Sequence, residues 1–294
     1  MKVGIVGAGA IGLLYGANLA EHADVILFTR RKEQAELLVE KGLLIDGQYC
    51  QVAAQEVSGL SKRAADLDLL ILTMKSYQLA EFLPILSLLP KNLPLLFLQN
   101  GVAHLKWLAD CPQETILVGS SEHGAIREND YMVLWRGKGR TNFSVFKGSL
   151  PDYLRHFFQQ TDTNFPFIRK ATVEQVLREK WFINLIINPL TAAFLCPNGD
   201  LLTNLDYQAE TQALVQEVTP LFQAEASFEK IQTICVQTAS NWSSMAEDVR
   251  KGRKTEIEGI LRPALEAGRE QGVLLPRLTL LYHLIKGKEG EKHA

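Results

Sequence analysis

The chain has 294 residues, of which 47% are hydrophobic and 22% charged, and a net charge of −2. That length suits two domains, and a balanced charge with no long run of one sign points away from nucleic acid and from a membrane surface as partners. Four cysteines, Cys50, Cys111, Cys196 and Cys235, lie far apart without metal-type spacing, so no metal site is expected and a reducing, cytoplasmic setting fits.

The elements of the first half alternate. Residues 2–6 ("KVGIV") read as a buried strand, 10–21 as a helix and 24–29 ("DVILFT") as a second strand. The runs at 68–73, 93–99 and 115–120 are continuously apolar and bounded by turn residues, the signature of strands covered on both faces of a parallel sheet. Residues 131–147, rich in Gly, Arg and aromatics, read as hairpins added at the far edge. From about residue 172 the apolar period becomes helical, with helices expected over 172–195, 205–225, around Met245, 255–270 and 277–286, and a frayed end over 286–294. The fold class is therefore α/β: a Rossmann-type doubly wound sheet over 1–167, followed by an all-helical domain over 168–294.

Gly7-Ala8-Gly9-Ala10-Ile11-Gly12 matches G-x-G-x-x-G between a strand and a helix. In that context Gly7 permits the turn, Gly9 lets a pyrophosphate approach the backbone, and Gly12 lets helix and strand pack. The same spacing accounts for the small residues that make the N-terminus loosely resemble an export signal. An NAD site places an acid at the end of the second strand; this chain has Arg30 and Arg31 there, which suit a 2′-phosphate. The expected cofactor is NADP(H), unless both arginines are simply solvated. Lys75 and Gln78 follow the strand at 68–73, and Gln99 and Asn100 follow the strand at 93–99. Ligands bind at such carboxyl ends, which makes Lys75, Gln78 and Asn100 candidates for the cofactor and Asn100 also for the substrate. A surface lysine and a plain Asn-Gly turn are the competing readings.

In "KWFINLIINPLTAAFLCPNGD" (180–200), Lys180, Asn184 and Asn188 share a stripe on a helix that is otherwise apolar all round. Buried polar groups need partners, supplied either by neighbouring helices or by a ligand. An ammonium on a desolvated face gives up its proton more easily, so Lys180 is the best general acid in view. Pro189 should kink or interrupt the helix and open a cavity wall, and the turn after Cys196 should present Asn198.

These features, with "TMKSYQ", "QNG" and "NWSSMAEDVRKGRKTEIEGI", resemble the ketopantoate reductase (2-dehydropantoate 2-reductase) family over both domains. The resemblance implies NADPH-dependent reduction of 2-dehydropantoate to pantoate, on the route to pantothenate and coenzyme A. It further implies Lys180 as general acid, Glu256 as the essential carboxylate, and Asn100, Asn184, Asn188, Asn198 and Ser244 as substrate holders. Ser244 and Glu256 fall some 120° apart if one helix carries both. Trp181 and Phe182 replace the smaller residues of the family pattern, which leaves another branched 2-keto acid open as substrate. A hydroxyacid-dehydrogenase relative acting on phosphorylated substrates would need a basic cluster, for which only residues 250–254 offer themselves. A non-catalytic NADPH-binding sensor would have no use for the lysine stripe. The expected partner is a small-molecule 2-keto acid, and a homodimer is allowed but not demanded.

Overall fold

A computed structural model describes residues 1–161, 164–222 and 227–290. The chain divides into two compact units, Met1–Gln99 with Leu105–Val176, and Asn100–His104 with Leu177–Ala294. The expected boundary at 167/168 falls inside a strand, Phe167–Arg169, which belongs to the first unit because it pairs in parallel with Thr141–Lys147. The division comes instead within the helix Val173–Phe194.

Among the described residues the first unit holds an eight-stranded sheet in the order Phe167–Arg169, Thr141–Lys147, Ile116–Ser121, Leu95–Phe97, Leu69–Leu72, Lys2–Val6, Asp24–Thr29, Ala53–Glu56. The run from Ile116–Ser121 to Ala53–Glu56 is parallel, and Thr141–Lys147 turns back antiparallel. Every residue of Leu69–Leu72 and Ile116–Ser121 is buried. This is why the central strands read as unbroken apolar runs, with both faces covered.

The region 131–147 departs from the expectation of edge hairpins. Met132–Gly137 leaves the main sheet for a second one, ordered Gln48–Cys50, Leu43–Ile45, Met132–Gly137, Gly124–Arg127. Only Thr141–Lys147 joins the large sheet. The strands Leu43–Ile45 and Gln48–Cys50 turn at Asp46 (φ 48°) and Gly47 (φ 82°). Positive φ at both central residues marks a type I′ hairpin, for which Asp-Gly is the preferred dipeptide.

The second unit is helical. Val173–Phe194 runs unbroken through Pro189, contrary to the expected interruption. The proline removes one backbone hydrogen bond and costs ~3 kcal/mol, but Leu185, Ile186 and Leu190 around it are at most 2% exposed. Burying three such side chains contributes more than that, at ~1.5–3 kcal/mol each. Trp181 and Phe182 are packing residues: the Trp181 indole donates to the Ile260 carbonyl at 2.8 Å, and Phe182, fully buried, packs on Phe222.

The helix expected over 255–270 divides into Ile257–Ile260 and Arg262–Gln271, with Pro263 in the first turn of the second, where a missing N–H costs little. The helix expected over 205–225 is described as Leu205–Phe222; residues 223–225 lie outside the described residues. The final helix runs Pro276–Gly290, so residues 286–290 are helical; residues 291–294 lie outside the description. Helices at Asp152–Gln160, Asp200–Thr203 and Phe228–Gln237 were not expected. No described helix is long and apolar enough to cross a membrane.

Phe182 is a fully buried member of the helical core. Phe182→Ala should lower unfolding stability by ~3–5 kcal/mol through lost burial and a residual cavity, measured by urea denaturation.

Candidate active site

The strand Lys2–Val6 ends at Gly7, whose φ of 105° suits glycine. A Cβ there would sit 2.9 Å from the Met74 backbone nitrogen, and a Cβ on Gly12 would lie 1.8 Å from the Gly7 carbonyl oxygen. Only hydrogen fits at Gly12. Around Gly9, in contrast, no atom comes within 4 Å of a would-be Cβ. The Thr73 hydroxyl donates to the Gly7 carbonyl at 2.7 Å, and the Gly7 N–H donates to the Phe28 carbonyl at 3.0 Å.

The helix Ala10–Leu19 follows, with Gly9 as its N-cap, no capping side chain and no acid in its first turn. Ala10 and Ile11 are half-buried and Ala8 is buried. An open glycine below an uncapped helix N-terminus is a cradle for an anion. The residues present therefore fit a dinucleotide pyrophosphate.

Beyond the strand Asp24–Thr29, both arginines are exposed, and they differ in their partners. Arg31 is held by Asp130, with the guanidinium 2.6 Å from its carboxylate, while Arg127 lies 3.7 Å from the same group. Gln34 ties this cluster to the glycine loop, donating to the Ala8 carbonyl at 2.9 Å and to the Asp130 carbonyl at 3.0 Å. Lys75 is half-buried before the helix Ser76–Leu86, and the Gln78 side-chain oxygen accepts the Lys75 N–H at 3.1 Å. Gln78 thus serves as a helix cap. Gln99, 3% exposed, donates to the Leu72 and Met74 carbonyls at 2.8 and 3.2 Å and ties together the ends of two strands.

In the second unit, the Asn100 amide donates to the Glu256 carboxylate at 3.1 Å. Glu256 is 5% exposed. Gly101 adopts φ 75° in tight contact with another backbone: a Cβ would stand 2.0 Å from the Gly259 carbonyl oxygen. The Asn-Gly pair is therefore a docking turn that carries Asn100 to Glu256.

Lys180 and Asn184 are half-buried and Asn188 is 5% exposed, all on the helix Val173–Phe194. That helix ends at Leu195, whose φ of 53° is costly for a residue other than glycine, and the Cys196 N–H returns to the Thr191 carbonyl at 3.2 Å. The turn so formed buries Asn198, which donates to the Thr238 hydroxyl at 2.9 Å, while its side-chain oxygen has no protein donor.

Ser244 and Glu256 lie on separate elements, which makes their helical angle irrelevant. Ser244 is the exposed first residue of the helix Ser244–Arg250. The buried hydroxyl is that of Ser243, which caps the helix at the Ala246 N–H (3.1 Å) and bonds Thr191 at 2.7 Å. The basic run at 250–254 is engaged locally: Arg250 and Lys251 pair with Glu247, and Arg253 with Asp248.

Sequence reasoning missed His104, which is fully buried, with neither ring nitrogen hydrogen-bonded. Desolvation pushes its pKa down to about 4, although the neighbouring Glu256 pulls the other way. Gln34, Arg127, Asp130 and Thr191 were missed as well. Their contacts to Ala8, Arg31 and Ser243 join residues distant in sequence, which no local pattern marks.

Two family models match the chain: "Ketopantoate reductase PanE/ApbA" over residues 3–148 and "Ketopantoate reductase PanE/ApbA C terminal" over 172–289. A 2-dehydropantoate 2-reductase of Listeria innocua is 45% identical over 298 residues, covering 100% of this chain and 98% of the relative. One from Bacillus subtilis is 36% identical over 98% of each chain. The crystal structure of the probable 2-dehydropantoate 2-reductase of Bacillus subtilis superposes with TM-score 0.84, covering 98% of this chain and 100% of that one. A D-mandelate dehydrogenase solved with NADH shares the fold at TM-score 0.86 and 22% identity.

Two outcomes follow from this geometry. Gly12→Ala should abolish measurable dinucleotide binding in a fluorescence titration, because the added methyl cannot coexist with the Gly7 carbonyl. His104 should make the protein acid-sensitive. The unfolded imidazole takes up a proton below about 6.5, while the folded one resists until about 4, so the unfolded state binds more protons across that window. Stability should therefore fall as pH drops from 6.5 to 4, by up to about 3 kcal/mol, and His104→Leu should flatten that limb of the denaturation profile.

Proposed function

The chain belongs to the ketopantoate reductase family, and from that premise we propose that it reduces 2-dehydropantoate to pantoate with NADPH. The observation that carries this reading is the agreement along the whole chain with named 2-dehydropantoate 2-reductases, up to 45% identical. The enzyme is an oxidoreductase acting on a small molecule with a pyridine nucleotide. For NADPH over NADH, the support is Arg30, an exposed guanidinium at the place where an NAD site carries a carboxylate. Asp130 engages Arg31 in an ion pair, so Arg30 takes the 2′-phosphate and Arg31 orders the loop.

NADPH bound at Gly7, Ala8, Gly9, Ala10, Ile11 and Gly12 would supply the hydride. The protein's own work is positioning and proton supply. Lys180 polarises the ketone oxygen and gives it a proton, assisted by the Asn100 amide. Asn184, Asn188 and Asn198 hold the remaining oxygens, and the unsatisfied Asn198 oxygen suits a substrate hydroxyl as donor. Glu256 accepts from the substrate and orients Asn100. Such prearranged dipoles lower the barrier without reorganising during the reaction. Ser244 joins these holders from the exposed start of its helix. Lys75 serves the cofactor from the loop before its helix, with Gln78 fixing the Lys75 backbone.

The defining test is NADPH absorbance decay with 2-dehydropantoate against other branched 2-keto acids. Fastest turnover with 2-dehydropantoate is expected, and no consumption with it would refute the assignment. Lys180→Ala should lower kcat by roughly 10²–10⁴ while leaving the NADPH Kd unchanged. Arg30→Ala should weaken NADPH by about 10–100-fold, the worth of one charge-assisted contact, and leave NADH nearly untouched. Arg31→Ala should do less; equal losses in both variants would remove the division of roles.

A further inference from the structure

Glu256 lies on a short turn whose two ends are tied to one helix. Thr255, immediately before it and 1% exposed, donates both its backbone N–H (2.8 Å) and its hydroxyl (2.6 Å) to the same Glu289 oxygen. The Thr255 hydroxyl oxygen also accepts the Ile257 N–H at 3.2 Å. One threonine oxygen thus links Glu289 to the residue on the far side of Glu256. Two residues beyond Glu256, Glu258 accepts from the Tyr282 hydroxyl at 2.7 Å and lies 3.5 Å from the Lys286 ammonium. Lys286 in turn donates to the other Glu289 oxygen at 2.7 Å. Tyr282, Lys286 and Glu289 all belong to Pro276–Gly290.

Between these anchors the Glu256 backbone stands at φ −95°, ψ 25°, outside regular helix geometry, in a sparsely populated region. Its carbonyl accepts from the Gly259 and Ile260 N–H groups at 3.0 and 3.1 Å, which starts the short helix, while the residue before it hangs from Glu289. The Glu256 carboxylate points to Asn100, so an error in the turn becomes an error in both groups. Burial opposes charge on Glu289, but Lys286 and the Thr255 donors outweigh it and keep this carboxyl below its usual range.

We propose that Glu289 is a positioning residue for the reaction: through Thr255 it fixes the turn that carries Glu256, and so sets the geometry in which Glu256 and Asn100 hold the keto acid. The proposal rests on the reading of Glu256 as a substrate-side carboxylate. A simple tie between helix and core would affect melting temperature alone. A positioning role appears in substrate affinity, because misplacing a holding group by about 1 Å can cost up to ~10²-fold.

The experiment compares Glu289→Ala with Glu289→Gln, whose amide oxygen still accepts from Thr255. The alanine variant should raise KM for 2-dehydropantoate by about tenfold or more with the NADPH Kd unchanged, and the glutamine variant should restore most of it. Glu289→Ala is also introduced into a Glu256→Gln background, and 2-dehydropantoate binding to the NADP+-loaded protein is measured by calorimetry. No further loss is expected there, since the group being positioned is already altered. An unchanged KM in Glu289→Ala, equal impairment in both Glu289 variants, or an undiminished loss in the Glu256→Gln background would overturn the proposal. Should Glu289→Ala fail to fold, Thr255→Val removes the hydroxyl donor at constant volume, and a wild-type KM in that variant overturns it equally. Wild-type kinetics in Glu256→Gln alone would instead sink the reading of Glu256, an outcome distinct from any result at Glu289.

Discussion

A carboxyl group buried to 5% exposure constrains everything around it. Taking a carboxylate out of water costs several kcal/mol unless donors converge on it, and Glu256 draws one of its donors from a residue 156 positions away. To bring Asn100 there, the chain leaves the first unit after the strand Leu95–Phe97, contributes Asn100–His104 to the second, and rejoins the first at Leu105. The detour requires glycine at 101, where a Cβ would strike the Gly259 carbonyl. It also carries His104 into a place where its imidazole stays neutral. A neutral ring beside a carboxyl group is a softer electrostatic neighbour than a cation.

The glycine loop follows a similar logic of exclusion. Gly7 and Gly12 are glycines because protein backbone fills the space a methyl would need, whereas Gly9 faces open space. The Ala8 carbonyl between them is held by Gln34, with Arg127 a longer contact at 3.4 Å, and both reach the neighbourhood of Asp130. The arm that sorts the two arginines is thus the same one that steadies the cradle. Helix-terminal dipoles act only within about a turn, and the loop facing this uncapped N-terminus is held at Ala8 by Gln34.

Legibility differed element by element. The central parallel strands were read correctly because burial on both faces leaves an unbroken apolar run, and the glycine spacing is visible because Gly7 and Gly12 meet a local steric requirement. The hairpin around Asp46-Gly47 was just as visible in its turn dipeptide, but each of its strands has three residues, too few to show a period. The proline in the helix Val173–Phe194 misled, since a local rule worth ~3 kcal/mol was set against burial contributed by distant helices. Ser243, rather than Ser244, is the buried hydroxyl, a distinction of one residue that only capping geometry decides.

By itself, the sequence determined the α/β-then-helical plan, the glycine spacing between first strand and first helix, the placement of two arginines beyond the second strand, and a polar stripe of Lys180, Asn184 and Asn188 on an apolar helix. Each of these depends on periodicity or on contacts within a few residues. Tertiary structure alone decided that Asn100 joins Glu256, that Arg31 is taken by Asp130 while Arg30 is left to solvent, and that Thr255 hangs from Glu289. The physical reason is range: buried polar groups must find partners, and in a folded chain those partners are chosen by packing between elements that no local pattern relates.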